Sequence, residues 1–129
     1  MEYIGGFFAS NTDEIEWKDG SEILGLPEGV KIKMIREGYD EVSERSERIT
    51  MFPVGYIEPR HEHDHYHSIF ILEGTMYVDG KTLGSGDYVF GGGPGNAHGP
   101  YEYPEGCKVF LCTRAKKNNH IHREVAEQK

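Results

Sequence analysis

Residues 55–74, GYIEPRHEHDHYHSIFILEG, form the stretch that decides how this chain folds and where it acts. Four of the seven histidines of the chain lie within it, namely His61, His63, His65 and His67. An apolar run over residues 69–72 follows them directly. Neutral imidazole is the commonest protein ligand for borderline transition metals. A histidine cluster that runs into a β-rich segment therefore predicts a metal site.

The size and charge of the chain restrict the possible functions. Its 129 residues fit one domain with a single core. The net charge of −8 disfavours nucleic acid and anionic membranes as partners, because both require clustered Lys and Arg. No apolar run approaches the ~20 residues of a membrane span, and the start MEYIGGFFAS lacks the pattern of a secretory signal. We expect a cytoplasmic protein that acts on a small molecule.

The two cysteines, Cys107 and Cys112, support the same compartment. They lie five residues apart on a predicted strand, so their side chains point to opposite faces of the sheet. We therefore expect no disulfide between them and a reducing environment.

Short apolar runs separated by turn residues indicate an all-β fold of the sandwich or barrel type. Asp79-Gly80 is a tight hairpin signal, and Glu73-Gly74 predicts a turn between two strands. Strands are predicted over residues 30–36, 48–57, 68–72, 75–78, 81–83, 88–90 and 107–113.

The domain organisation follows from these strands. Residues 1–129 are expected to form a single domain, in which residues 30–113 are the barrel core. Residues 1–29 are expected to cover one end of the core. Residues 114–129 are a polar tail that is expected to form a short helix or to fray.

Strand geometry brings the histidines together. Alternate side chains of a strand point the same way, so His61 and His63 can face one interior point. If His67 also points inward, Ile69 and Ile71 line the same cavity. His98 follows three further strand signals and the loop GGGPG, and a sheet of hairpins could fold it back against the first three histidines.

Other histidines fit the site less well. His65 shares the parity of His63, so alternation alone does not exclude it, but we interpret it as a neighbour of the site. His120 and His122 form an HxH pair in the polar tail, which we interpret as surface because termini usually lack the order that a site needs. A histidine-rich loop beside acidic residues is also compatible with a solvated surface.

At this point the residues resemble the cupin family. The first cupin motif is G-x5-H-x-H-x3/4-E-x6-G, and this chain has Gly55, His61, His63, His67 and Gly74 at the same spacings. The one difference is His67, which stands where most cupins have glutamate.

The second cupin motif, G-x5-P-x-G-x2-H-x3-N, is matched at its centre. Gly95 and His98 have the spacing of the motif. The loop from Gly86 is one residue longer, Pro94 is displaced and Glu102 occupies the Asn position.

This resemblance implies a double-stranded β-helix, the cupin jelly-roll barrel, and a metal site whose ligands are His61, His63, His67 and His98. It implies one divalent transition metal, which could be Fe, Mn, Ni, Zn, Co or Cu. Four neutral imidazoles leave the full charge on the metal, which favours an anionic oxygen ligand such as an enolate.

Three functions are compatible with such a cupin. The first is a dioxygenase that cleaves a small diketone or hydroxyketone chelated at the metal. The second is a non-redox isomerase, epimerase or lyase acting on a sugar or keto acid. The third is a binding or sensing module without catalysis. We favour the dioxygenase, although one fold hosts many chemistries.

The remaining assignments are weaker. Arg60 is expected to be a surface charge, and Cys107 is not expected to be a nucleophile because no base is evident beside it. A role for Tyr101, Glu102 or Tyr103 in orienting substrate is left open. An apolar pocket wall or simple core packing explains Phe52, Ile69, Ile71, Phe90 and Val109.

A homodimer is expected, because cupins often dimerise. The apolar N-terminal residues 4–8 could serve such an interface or could cover the core of their own subunit.

Overall fold

The computed structural model describes residues 2–39, 43–116 and 122–124. Within these residues a 3-10 helix (Thr12–Glu14) precedes one short α-helix, α1 (Gly20–Leu24). The strands are β1 (Glu2–Ile4), β2 (Phe7–Ala9), β3 (Lys18–Asp19), β4 (Lys31–Tyr39), β5 (Ser43–Phe52), β6 (Tyr56–Glu58), β7 (His61–His63), β8 (Tyr66–Val78), β9 (Lys81–Gly84), β10 (Tyr88–Gly92), β11 (Tyr101–Tyr103), β12 (Cys107–Lys116) and β13 (His122–Glu124).

The main sheet curls around one core and confirms the expected all-β jelly-roll architecture. Its strand order is β3-β4-β5-β12-β8-β11-β6, with β9 and β10 also paired to β8, and every pair is antiparallel. The long strand β8 is central, since its first half pairs with β10 and β12 and its second half pairs with β9 and β11.

Strand β8 corrects one expectation, because Glu73-Gly74 does not turn the chain. The strand continues through both residues, and its register against β12 shifts so that Leu72 is an extra residue. Gly74 has a φ of 85°, and a Cβ there would lie 2.2 Å from the carbonyl oxygen of Gly106. The glycine therefore lets β8 bend and pass close to the start of β12, rather than reverse direction.

The other turn signals behave as predicted. Asp79 and Gly80 both have positive φ values, 51° and 76°, which is the backbone of the tight hairpin between β8 and β9. Pro53 separates β5 from β6, so the single strand expected over residues 48–57 is two strands.

The core fills the interior of the curled sheet. Buried aliphatic side chains from several strands form it, and an aromatic stack extends it, since the rings of Phe52 and Tyr103 lie 4.2 Å apart. The cluster comprises Val30, Phe52, Ile71, Met76, Tyr103, Cys107, Val109 and Leu111.

The N-terminal segment only partly covers this core. Leu26 packs against the core from the turn after α1. By contrast, Ile4 and Phe7, on the hairpin of β1 and β2, are exposed to solvent. Of the two roles open for this segment, these two side chains therefore do not cover their own core, and the expected homodimer stays a prediction.

The polar tail was expected to form a short helix or to fray, and the structure describes only its residues 114–116, which continue β12, and 122–124, which form a strand. Within residues 122–124, β13 pairs antiparallel with β7 and places His122 opposite His63 in the register. The strand β13 therefore pairs with one edge of β7. His120 lies outside the described residues.

Two further expectations concern the membrane and the cysteines. None of the helices in the described ranges has the length and apolar composition needed to cross a bilayer. Cys107 and Cys112 are both free thiols, as predicted from their odd spacing on β12.

The bend at Gly74 generates a testable prediction. Gly74→Ala should lower the free energy of unfolding by about 3 kcal/mol or more, because it adds both left-handed strain and a clash with backbone. Gly80→Ala is the matched control, since Gly80 also has positive φ but no atom lies within 4 Å of the added carbon. It should lose only about 1 kcal/mol. Urea unfolding measures both, and equal losses would show that the close approach at Gly74 is not rigid.

Candidate metal centre

Strand β7 presents two histidines to the interior. His61 and His63 are both buried, whereas Glu62 between them is partly exposed, which is the alternation predicted from their spacing. Their ring centroids lie 5.3 Å apart. Both imidazoles therefore reach the same interior region.

His98 is brought to this region by backbone pairing with His61. The amide of His61 donates to the carbonyl of His98 at 2.9 Å, and the amide of His98 donates to the carbonyl of His61 at 2.8 Å. The ring of His98 consequently lies 4.3 Å from that of His61 and 4.7 Å from that of His63. The loop thus delivers His98 to the first two histidines, as expected.

These three histidines are held in one orientation by backbone carbonyls. The Nδ1 atoms of His61, His63 and His98 lie 2.8, 2.7 and 3.0 Å from the carbonyl oxygens of Pro59, His65 and Asn96 respectively. A carbonyl can only accept, so Nδ1 carries the proton and Nε2 of a neutral ring keeps its lone pair. Hydrogen bonds of this kind orient the histidine ligands of metal sites.

His67 reaches the cluster from the start of β8, and His65 reaches it from the bend just before β8. Ligand atoms of His61, His63 and His98 lie within 4.8 Å of one another, and those of His63, His65 and His67 form a second group that meets the same limit. His63 is shared, and its ring lies 4.3 Å from His67 and 4.2 Å from His65. The four predicted ligands thus fall into two overlapping groups, and His65 is a direct neighbour of both His63 and His67.

His67 shows that this region suits a cation. Its Nε2 atom is shielded from solvent and makes no hydrogen bond to the described residues. A buried nitrogen without a partner is costly, unless something absent from the polypeptide occupies the position. Five imidazoles are also the donor type that borderline divalent metals prefer.

The glycine-rich loop leaves room for the rings. Gly92 has a φ of 89°, and a Cβ there would lie 2.5 Å from Cε1 of His63 and 2.7 Å from the carbonyl oxygen of His65. Any larger residue would displace the His63 ring, so the glycine is required by the site's packing.

The environment keeps the imidazoles of His67 and His98 neutral. Burial lowers the pKa of His67 well below its usual value, and the neighbouring His63, His65 and Arg48 lower it further. Burial also lowers the pKa of His98, and a hydrogen bond to Asn96 partly opposes that shift. Neutral imidazole is the metal-binding form.

Glu58 is a neighbour of the site that the sequence did not indicate. Its Oε1 atom lies 3.1 Å from Nε2 of His61, and burial raises its pKa to about 7. Since His61 already donates from Nδ1, a proton or a cation has to lie between these two acceptor atoms. In the sequence, Glu58 is only a carboxylate three residues before His61, and that spacing is too common to indicate a site.

Arg48 is a second residue that the sequence did not indicate. It lies on β5 and is only 8% exposed, although arginine is almost never buried without a partner. Burial lowers the pKa of its guanidinium to about 10, so it stays charged at neutral pH. Its place opposite the histidines depends on strand pairing, which the local sequence does not show.

Arg60 differs from expectation. It was predicted to be a surface charge, but it is half-buried and its Nε atom is shielded from solvent without a hydrogen bond to the described residues. Together with His98 and Tyr101 it lines a cavity of about 460 Å³. Its Nη1 atom donates to the carbonyl of Gly99 at 3.4 Å, which holds the side chain at the edge of this cavity.

The three residues whose role was left open take different places. Tyr103 belongs to the aromatic core stack, and Glu102 is exposed. Tyr101 lies beside the cluster, with its ring 5.7 Å from His98, and burial raises its pKa to about 12. Of the three, Tyr101 contacts the rings of the cluster, and Glu102 lines the same cavity as His98.

Of the two explanations left open for the apolar residues, core packing is the one that the structure supports for most of them. Ile71 and Val109 are fully buried, and Ile69 packs against the core. Phe90 is 61% exposed and lies on the outer face of the sheet, so its assignment to the wall was wrong. It lies on β10 opposite Ser68 rather than opposite His67, which puts it on the outer side of the pleat.

Cys107 has the properties of a core residue. It is buried, and burial raises the pKa of its thiol to about 11. A thiol that stays protonated at neutral pH is a poor nucleophile, in agreement with the sequence-based expectation.

The barrel and its histidine cluster agree with comparison to known families. The family model described as the ChrR cupin-like domain matches residues 6–117, which is most of the chain. The chain belongs to the ChrR cupin-like domain family. A search of curated proteins found no match for this cupin.

Solved structures show the same fold. An RmlC-like cupin from Shewanella frigidimarina NCIMB 400 is 24% identical, with a TM-score of 0.60 over 84% of this cupin and 91% of that chain. An acetylacetone dioxygenase from Acinetobacter johnsonii is 18% identical, with a TM-score of 0.60 over 87% of this cupin and 76% of that chain.

A third similar structure contains ChrR, the protein named in the description of the family model. A chain in the complex of Rhodobacter sphaeroides SigE with the anti-sigma ChrR is 19% identical, with a TM-score of 0.54 over 83% of this cupin. The match covers 52% of that chain. At these identities the three likenesses establish the fold alone.

The neutral state of the cluster leads to a pH prediction. Protons and metal compete for the same nitrogens, and the lowered pKa values of His67 and His98 place that competition below the usual imidazole pKa of ~6.5. Zn²⁺ bound at about pH 7.5 should therefore be released as the pH falls from ~6 towards ~4. Equilibrium dialysis with metal analysis measures this, and full retention at about pH 4 would contradict it.

Proposed function

We propose that this chain is a metal-dependent cupin enzyme, a dioxygenase that cleaves a small diketone or hydroxyketone. The observation that carries the proposal is the convergence of the ligand nitrogens of His61, His63 and His98 within 4.8 Å of one another, with that of His67 within the same distance of His63. Backbone carbonyls orient three of these rings. An oriented, neutral, largely buried imidazole cluster is suited to one divalent transition metal. When bound, the metal supplies a Lewis acid that stabilises an enolate and a centre for oxygen chemistry.

In this proposal His61, His63, His67 and His98 hold the metal, as the cupin motifs imply. None of these ligands carries a negative charge, so an anionic enolate is favoured at the positions that the protein leaves open. Fe, Mn, Ni, Zn, Co and Cu all accept such nitrogen ligands.

The apolar residues of the barrel give the reaction its surroundings. Ile71, Val109 and Leu111 are buried on the interior face of the same sheet, and in this proposal they keep water out of the barrel interior. Exclusion of water strengthens electrostatic interactions in the site and protects reactive intermediates from hydrolysis. The name of the Acinetobacter johnsonii structure, acetylacetone dioxygenase, makes pentane-2,4-dione the first substrate to test.

The ligand set is tested by metal affinity. Alanine substitution of any one of the four predicted ligands should weaken Zn²⁺ binding by roughly 100-fold or more, because it removes a ligand. The four variants are His61→Ala, His63→Ala, His67→Ala and His98→Ala. His65→Ala is the matched control, and as the loss of a neighbour it should cost about 10-fold or less. Competition titration with a chromophoric chelator measures all five affinities. A larger loss for His65→Ala than for His67→Ala would exchange their roles.

The reaction is tested by oxygen uptake. Protein loaded with Fe²⁺ or Mn²⁺ should consume O₂ when pentane-2,4-dione is added, and the chelated protein should not, because enolate binding requires the metal. An oxygen electrode follows the reaction, and product analysis should show carbon–carbon cleavage with one O₂ used for each diketone. No uptake across a panel of diketones and hydroxyketones would remove the dioxygenase assignment.

A non-redox isomerase, epimerase or lyase is the second candidate, and the cavity beside His98 favours it. Arg60, Tyr101 and Glu102 contribute polar groups to the lining of this cavity of about 460 Å³, and such groups suit the hydroxyl and carboxylate groups of a sugar or a keto acid. Turnover under argon by the Zn²⁺ or Ni²⁺ form would favour this candidate. Metal binding without turnover of any retained ligand would instead favour a sensing module.

A further inference from the structure

Among the residues that the structure describes, Arg48 is a buried cation that the histidine cluster does not explain. Arg48 is 8% exposed, and its Nε atom is shielded from solvent without a hydrogen bond to the described residues. Within the described residues its one hydrogen bond is long, with 3.4 Å between Nη1 of Arg48 and Oγ of Ser46. No carboxylate of the described residues forms an ion pair with it, and the exposed Glu37 acts on its charge only at longer range.

Strand pairing places Arg48 on the same interior face as the histidines. Arg48 pairs with Leu111 on β12, and Leu111 pairs with Ile69 on β8. The next interior row contains Ser46, Thr113 and His67. Since Nη1 of Arg48 bonds to Ser46, the guanidinium leans towards the row of His67.

The distance across these rows suits a small molecule. Adjacent strands lie about 4.8 Å apart, so β5 and β8 are separated by roughly 10 Å, and interior side chains of a curled sheet converge further. A ligand held by the histidines can therefore reach the guanidinium.

The burial of the Arg48 charge without an ion-pair partner requires an explanation. Burial of a charged group without a partner destabilises the folded state, and an apolar residue at such a position is often neutral or stabilising. Guanidinium groups bind carboxylates through paired, charge-assisted hydrogen bonds. A charge of this kind, inside a barrel and beside a metal-type cluster, indicates a binding role.

We infer that Arg48 is a specificity-determining residue whose guanidinium binds a carboxylate on the molecule held at the histidine cluster. The substrate is accordingly a small dioxo or oxo acid, in which the carbonyl oxygens face the histidines and the carboxylate faces Arg48. This inference rests on the proposed function, because it places the substrate at that site.

Two probes isolate the carboxylate. Pentane-2,4-dione and 2,4-dioxopentanoate differ by the exchange of one terminal methyl group for a carboxylate. Binding of each to Zn²⁺-loaded protein is measured by calorimetry, so that no turnover interferes. The carboxylate also binds metal directly, and the comparison between variants therefore decides the question rather than the affinity of the wild type alone.

Arg48→Met should weaken binding of 2,4-dioxopentanoate by roughly 10- to 100-fold, the range of a charge-assisted hydrogen bond, and leave pentane-2,4-dione within about 2-fold. Arg48→Lys should lose part of the acid affinity, because it keeps the charge but not the paired donors. Arg114→Met is the matched control, since Arg114 is an exposed arginine on β12, and it should change neither affinity.

Stability separates a binding role from a structural one. Arg48→Met should unfold at the same or a higher urea concentration than wild type, because it removes an unpaired buried charge. Unchanged acid affinity in Arg48→Met, or loss of stability with equal weakening of both probes, would overturn the inference.

The two proposals fail in different ways. Arg48-dependent binding of the acid without oxygen uptake would remove the dioxygenase and keep the inference. Oxygen uptake with pentane-2,4-dione, with no contribution of Arg48 to acid binding, would do the reverse. A wild-type protein that binds neither probe would remove both.

Discussion

The candidate site depends on the pairing of two short backbone segments, one at His61 and one at His98. Two hydrogen bonds of 2.9 and 2.8 Å join them, and each contributes only about 1 kcal/mol net. Their effect is geometric, because they place two imidazoles from distant parts of the chain 4.3 Å apart. The Nδ1 bonds to Pro59, His65 and Asn96 then fix the direction of each ring. Backbone atoms therefore position the cluster, and the side chains remain available for a ligand.

The barrel interior is divided between stability and binding. The aliphatic residues around Ile71 and Val109 bury apolar surface, which is the main favourable term in folding. At the other end lie five imidazoles, the Arg48 guanidinium and the Glu58 carboxyl, all of which lose hydration on burial. Arrangements that oppose stability in this way concentrate at functional sites. We interpret the apolar end as the support for the polar end.

Two glycines show why the strand pattern was only partly predictable. Gly74 was interpreted as a turn because glycine usually interrupts a strand, but the structure uses its positive φ to bend β8 against Gly106. Gly92 accepts the ring of His63 where any Cβ would collide. Both roles depend on a segment distant in sequence, so local pattern cannot separate a bend, a turn and a close approach. By contrast, Asp79-Gly80 forms a local hairpin, and its prediction was correct.

The sequence by itself determined the fold class, the inward alternation of His61 and His63, the separation of the two cysteines and the part of the chain that returns with His98. These follow from the two-residue period of a strand and from motif spacing, which are local properties. The tertiary structure alone decided that His65 adjoins His67, that Glu58 contacts His61, that Arg48 is buried and that Phe90 is exposed. The burial of Arg48 and the exposure of Phe90 depend on strand register and sheet curvature, which determine which side chains from distant strands face one another. The contacts of His65 and Glu58 depend on how the chain bends between β6, β7 and β8.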